Sequence, residues 1–496
     1  MKRKQQFIKN AVILTAVSLF MRAVSFSFNV YAANKIGASG MGLYALIMAV
    51  YNFGVTFATS GINLASTKLI AEEIAQGRSK QKAVTRCVLY ALVFGACAFG
   101  LVFFGAGFFA ETIVGDTRII MPLKILSVSL PCVAVSFALS GYFTATGKVY
   151  KNSLVQIAEQ MIKIFGAVLL LGKLGTINCE NACICLVMAN STAEIVSFLL
   201  LFCVYRADIR GEKLKASDDL TKRMMRYGLP VAASAYLRSA LTTAENTLIP
   251  KSLEKFSGLK DMALASYGVV HGMVMPLVFL PSGVVGAVST LLVPEITMLN
   301  KMKNHRKIDN IIERTLSLTL IFSVGAAGIM YFFAEEISTL FYKNSDAARY
   351  LKMIAPIVAI MYSDGVVDAV LKGLNQEIYA MRYDIVLSAV SIVLITTLIP
   401  VKGVEGYIMI IYISEMMNSY LSINRLMEVS DFNIKPLRWT AVPAMAVVTS
   451  SFFAKTVFDG VYGAVLAIII YIAVMTIYRD KSSTLQNTQN VVKYRV

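Results

Sequence analysis

The sequence predicts an all-α polytopic membrane protein of fourteen transmembrane helices, arranged as two parallel-repeat six-helix bundles followed by two additional C-terminal helices. Three observations predict it. The chain of 496 residues is 57% hydrophobic and only 16% charged, far from the balance of a soluble domain. Its apolar runs each reach at least the roughly 18–25 residues that a helix needs to cross a hydrocarbon core. Basic residues recur at a constant offset in the two halves of the chain.

The runs fall at 7–33, 41–66, 83–109, 119–145, 153–172, 183–205, 227–250, 264–293, 315–333, 350–371, 383–400, 404–424, 437–455 and 461–478. The first is too long, and too free of a small-residue cleavage site, for a signal peptide, so it is read as a retained helix. Lys2, Arg3, Lys4 and Lys9 at its start place the N-terminus in the cytoplasm. Alternate connections then carry most of the 47 Lys and Arg, and an even number of spans returns the tail from Arg479 to the cytoplasm. The expectation is a multi-pass protein of a cell membrane with both termini inside.

The net charge of +17 follows from the same loops, which set topology and meet anionic lipid headgroups. No folded basic domain stands outside the membrane, so nucleic acid is not an expected partner. Cys179, Cys183 and Cys185 cluster at the start of the sixth run, either as an outer disulfide or as small apolar residues at a helix start. The only histidines, His271 and His305, belong to distant parts of the chain, and no metal site is expected.

Arg78 and Arg306, Arg86 and Arg314, and Leu123-Lys124 and Leu351-Lys352 share one offset; Arg22 and Arg238 share a slightly shorter one. Each copy holds six spans, so both enter the membrane in the same direction, related by an axis along its normal. The domains read as an N-terminal bundle at 1–205, a charged cytoplasmic linker at 206–226 and a second bundle at 227–430. Two further helices at 431–479 and a tail at 480–496 complete the chain. Two such bundles define a cleft, and rocking opens it to alternate sides.

Ionisable residues inside spans cost insertion energy, about 2.5–3.5 kcal/mol for a central cation, and mark functional candidates by default. Arg22 and Arg238, near the middle of equivalent spans, are the leading pair, each suited to something anionic or to an acid on another helix. Glu159 and Lys163, four apart with Glu first, suit a local ion pair. Glu245 stands two turns beyond Arg238 on the same face, and Glu194 and Glu415 lie in other spans.

Asp364 and Asp368 share a face at a spacing where like charges repel, so either one holds a proton or a cation sits between them. Solvation by a water-filled cavity is the bland alternative. The eighth span carries Pro276, Pro281 and Pro294 with Gly272, Gly283 and Gly286, which predicts a kink; Pro276 and Pro281 are hinge candidates. Gly141–Lys148, GYFTATGK, has one residue too many between its glycines for a phosphate loop, and no catalytic constellation or cofactor motif is present.

Particular strings then resemble a known family: NKIGASGMGLY (Asn34–Tyr44), INLASTKLIAEE (Ile62–Glu73), QIAEQMIK (Gln156–Lys163), GMVMPLVFLPSGVVGAVSTLLVPEI (Gly272–Ile296) and LKGLNQEIYAMRYDI (Leu371–Ile385). They are similar to the stage V sporulation protein B family of the multidrug/oligosaccharidyl-lipid/polysaccharide exporter superfamily, whose members include multidrug (MATE-type) antiporters and lipid II flippases. The resemblance runs through all fourteen spans. It implies a flippase, not an enzyme, that carries a polyprenyl-diphosphate-linked oligosaccharide to the outer leaflet of a bacterial membrane, in cell-wall or spore-cortex synthesis.

By that resemblance the first-span arginine that meets the diphosphate is Arg22. The second basic residue the family often carries two turns on is here Asn29. Substrate contacts are then expected at Arg22, Arg238, Asn29, Glu159 and Lys163, with Glu245, Asp364 and Asp368 as ion-coupling candidates and the protein acting as a monomer. A cation-coupled multidrug antiporter is the alternative; two midplane arginines would repel cationic drugs.

Overall fold

The computed structural model describes residues 2–173, 178–209, 219–432 and 437–493, with side chains from 16 to 478 apart from 174–177, 210–218 and 433–438. Every regular element among them is helical. The chain divides into two compact units, Met1–Met273 with Asp384–Ile410, and Val274–Tyr383 with Ile411–Val496.

The first unit is built from α1 (Lys2–Thr59), α2 (Ile62–Ala75), α3 (Lys80–Phe108), α4 (Ile120–Ser127), α5 (Leu130–Ala145), α6 (Val149–Lys173), α7 (Cys179–Asp208), α8 (Leu220–Ser257) and α9 (Lys260–Tyr267). The second holds α10 (Met275–Phe279), α11 (Ser282–Lys301), α12 (His305–Phe332), α13 (Ala334–Phe341), α14 (Ser345–Ile354) and α15 (Val358–Gly373). It also holds α17 (Val442–Val457) and α18 (Val461–Lys493), while α16 (Glu377–Val429) contributes its middle to the first unit and its two ends to the second.

Eleven described helices are long and apolar enough to cross a membrane, or twelve if Thr117–Ser127 and Leu130–Ala145, bent by 45°, form one span. This coarser count differs from fourteen for physical reasons. At about 1.5 Å per residue, the 58 residues of α1 and the 53 of α16 far exceed a hydrocarbon core of about 30 Å. Each is broken by a glycine, Gly37 (φ 72°, ψ −179°) and Gly403 (φ 59°, ψ −135°), in backbone regions closed to side chains with a Cβ. α8 is too polar to be counted, which lowers the number further; in the other direction, the run at 264–293 is divided between Lys260–Phe279 and Ser282–Lys301.

Close packing explains other glycines of the sequence strings. A Cβ on Gly42 would stand 2.1 Å from the Leu264 carbonyl oxygen, and one on Gly268 2.0 Å from that of Ala38. Backbones of α1 and of the segment around α9 therefore meet directly, as small residues allow in membrane helices. In the second unit, Gly325 and Gly328 of α12 leave room for Tyr471 and Val447, and the Tyr471 hydroxyl donates to the Ile321 carbonyl at 2.5 Å.

The predicted kink in the eighth span is present as a break between α10 and α11, with Pro276 in the first turn of α10 and Pro281 at the cap of α11. The carbonyls freed there are not left bare. The Ser282 hydroxyl donates to Phe279 O at 2.8 Å, and the Tyr362 hydroxyl from α15 donates to Val278 O. All seven cysteines are free thiols, and Cys183 packs through its Sγ against the Gly40 carbonyl at 3.5 Å.

Candidate functional site

The two units carry separate polar groups in their helices, and α8 supplies the first. Arg238 is exposed on it, and its Nη1 lies 3.0 Å from Oδ2 of Asp384, with 63% and 30% of the two side chains exposed. One turn beyond Asp384 on α16, the Ser388 hydroxyl hydrogen-bonds Glu245, which sits two turns beyond Arg238 on α8. Next to Glu245, Asn246 accepts from the Tyr267 hydroxyl at 3.5 Å, and Tyr267 stacks on His271 at 5.1 Å. Tyr407 lies 6.4 Å from the Tyr267 ring. A polar strip thus runs along α8 from a cation–carboxylate pair to an aromatic cluster.

Arg22 belongs to the same unit and is exposed on α1 before the Gly37 break; Asn29 is half-buried two turns further on. Near it, the Gln160 amide donates to Ser25 Oγ at 3.2 Å, tying α6 to α1. Glu159 and Lys163 of α6 each have a neighbour on another helix. Glu159 accepts from Ser197 Oγ at 2.6 Å, and the Lys163 ammonium lies 5.9 Å from the Phe28 ring centre. Glu194 accepts from the Tyr51 hydroxyl at 2.5 Å and from Asn190 at 2.9 Å, and Tyr51 pairs with Ser129 at 3.0 Å. That network fastens α7 to α1 and to the start of α5.

At the end of α2 a different charge group clamps α8. Arg223 Nη1 donates to Glu73 Oε1 at 2.8 Å, and its Nη2 donates to Glu72. Glu73 has no exposed side-chain surface, and its Oε2 has no hydrogen bond. The Tyr227 hydroxyl donates to Glu72 at 3.2 Å while Lys68 sits 3.9 Å above the Tyr227 ring. Near the other end of α8, the Lys251 ammonium donates to Thr112 O at 2.9 Å; beyond the helix, Arg118 pairs with Asp261 at 3.2 Å.

The second unit gathers carboxylates. Asp364 is 5% exposed, and its Oδ1 has no hydrogen-bond partner. Asn418 donates to its Oδ2 at 3.4 Å, Ser419 also hydrogen-bonds it, and Glu415 and Asp368 lie near enough to repel its charge. The structure therefore brings the predicted Asp364 together with Glu415 from α16.

Sequence reasoning missed Asp384, Ser388, Asn418 and Ser419. Asp384 stands at the second residue of the run 383–400, where a charge reads as a span boundary. The signal that could have found it is its four-residue spacing from Ser388, which puts both on one face of α16. Asn418 and Ser419 carry no charge, and nothing in their spacing separates them from ordinary packing residues.

A helical, multi-pass membrane protein with charged side chains set inside apolar helices is the scaffold of a transporter. The chain belongs to the polysaccharide biosynthesis protein family, whose sequence pattern matches residues 7–300, within the multidrug/oligosaccharidyl-lipid/polysaccharide exporter superfamily; a MatE pattern matches 256–397. It is 26% identical over 466 residues to stage V sporulation protein B of Bacillus subtilis (strain 168), covering 92% of this chain and 90% of that one. Its fold superposes on the lipid II flippase MurJ in an inward closed conformation with a TM-score of 0.73 at 15% identity, over 94% of this chain and 99% of that one. An inward-facing MATE family transporter gives 0.65 at 12% identity, over 82% and 96%. These two likenesses speak for the fold alone.

Proposed function

We propose that this protein is a flippase that moves a polyprenyl-diphosphate-linked saccharide between leaflets by alternating access. The observation that carries the reading is Arg238, an exposed guanidinium on α8 whose ion-pair partner, Asp384, is itself partly exposed, with Arg22 exposed in the same compact unit. A diphosphate is a fitting ligand because guanidinium groups bind phosphate oxygens by paired, charge-assisted hydrogen bonds. The relatives support the direction, since one is named a lipid II flippase and the family is one of polysaccharide biosynthesis.

In this reading the fourteen spans comprise two parallel copies of six plus two, both termini are cytoplasmic, and Pro276 and Pro281 are the hinge. Asn29, Glu159 and Lys163 flank the substrate. The test is translocation of fluorescent lipid II by protein reconstituted into vesicles. Arg22→Ala and Arg238→Ala are each expected to slow it at least about tenfold, the loss of one charge-assisted contact, while both variants stay folded. Wild-type flipping by the double alanine variant would rule the reading out.

A second reading, a cation-coupled multidrug antiporter, is favoured by the Asp364, Asp368 and Glu415 group and by the MatE pattern at 256–397. Efflux of a cationic dye that stops with Asp364→Asn, in vesicles that do not flip lipid II, selects it.

A further inference from the structure

We propose that Asp384 is a displaceable counter-ion, which neutralises Arg238 while the site is empty and yields the guanidinium to the diphosphate of the substrate. The proposal rests on the flippase reading above and adds a residue to it. Arg238 and Asp384 touch at one oxygen 3.0 Å away, and the two side chains are 63% and 30% exposed. The pair is thus open to a competing anion on the arginine side. A deeply buried ion pair could not exchange partners so readily, because separating it strands a charge in low dielectric.

The geometry gives Asp384 a job in both halves of a cycle. An arginine left without an anion inside a membrane helix bundle is costly, so an empty carrier needs a resident acid. A diphosphate brings two or more negative charges and several acceptor oxygens, and it outcompetes a single carboxylate for the fork of the guanidinium. After delivery the same carboxylate returns to Arg238 and speeds release. Asp384 acts through Arg238, so it is a positioning residue that tunes affinity against turnover. Ser388, one turn on, is engaged with Glu245, so the displaced carboxylate swings away while Glu245 keeps its own partner.

The experiment compares wild type, Asp384→Asn, Asp384→Glu, Arg238→Ala and the Arg238→Ala/Asp384→Asn double variant in lipid nanodiscs. Undecaprenyl diphosphate is the probe, with inorganic pyrophosphate in a parallel arm to separate a lipid ligand from a free anion. Asp384→Asn is expected to bind undecaprenyl diphosphate about two- to fivefold more tightly, the range that a partly exposed ion pair supports, and to flip lipid II more slowly at saturation. Asp384→Glu restores wild-type values, and the double variant binds no better than Arg238→Ala.

Unchanged or weaker binding by Asp384→Asn, with Arg238→Ala still impaired, overturns the counter-ion role and leaves the flippase reading intact. Equal binding by wild type and Arg238→Ala sinks the flippase reading itself. Tightening for pyrophosphate alone identifies a free anion as the ligand and likewise ends the lipid version. Should Asp384→Asn fold poorly, infrared difference spectra of wild type on adding undecaprenyl diphosphate decide: the carboxylate band that moves in Asp384→Glu must shift, and a static band overturns the proposal.

Discussion

The ion-coupling role proposed for Asp364 falls on a residue poorly placed for stability. Its side chain is 95% removed from solvent, one oxygen lacks any hydrogen bond, and two other acids lie close by. Evolution toward stability alone would replace it, since an unsatisfied buried polar atom costs about 1–3 kcal/mol. Asp364→Asn is therefore expected to keep or raise the melting temperature in detergent while gradient-driven transport falls to its gradient-free rate. Sodium or proton titration of the melting temperature checks it: a cation that binds Asp364 stabilises wild type and has no such effect on the variant. A variant that melts earlier yet transports normally under a gradient assigns Asp364 to packing. Single charges inside apolar runs were legible in the sequence, because each is an exception to its surroundings. Their partners were not: Asp384 reads as a boundary, and the uncharged Asn418, Ser419 and Ser388 become visible only when two helices are set side by side.

At the scale of elements, α8 is fastened along its length. Arg223 grips Glu72 and Glu73 near its start, Arg238 meets Asp384 midway, and Lys251 holds the Thr112 carbonyl near its end. The Arg223 clamp is the one with structural weight, because Glu73 is wholly buried and depends on that guanidinium, with Arg78 more distant at 3.7 Å. Removing one partner of a buried pair leaves an uncompensated charge at a cost of about 3–5 kcal/mol. Arg223→Met is thus expected to lower stability by about that amount in chemical denaturation of the purified protein, and adding Glu73→Gln should recover most of it. A neutral Arg223→Met result would place the clamp among surface pairs of little worth. The helices themselves were legible from hydrophobic run length, and the α10–α11 break from Pro276 and Pro281. The breaks at Gly37 and Gly403 fall in the gaps between the runs ending at 33 and 400 and those beginning at 41 and 404, although in sequence such a glycine looks the same as one that only eases packing, such as Gly42.

At the scale of the whole molecule, the length of α1 and α16 decides how they relate to the membrane. At 58 and 53 residues, neither can lie straight within about 30 Å of hydrocarbon. If Gly37 and Gly403 are connections, each helix is two antiparallel spans, and by the positive-inside orientation both glycines face outward. Lys35 and Lys402, exposed beside them, are the reporters, and Lys303, exposed between α11 and α12, reports the opposite face. In a cysteine-free background, Lys35→Cys and Lys402→Cys are expected to react with a membrane-impermeant maleimide in intact cells. Lys303→Cys should react only after permeabilisation. Labelling of Lys35→Cys and Lys402→Cys from opposite faces would break the parity on which fourteen spans, the parallel repeat and a shared cleft all depend. It would leave Arg22 and Arg238 without the equivalent depth that the proposed diphosphate site requires.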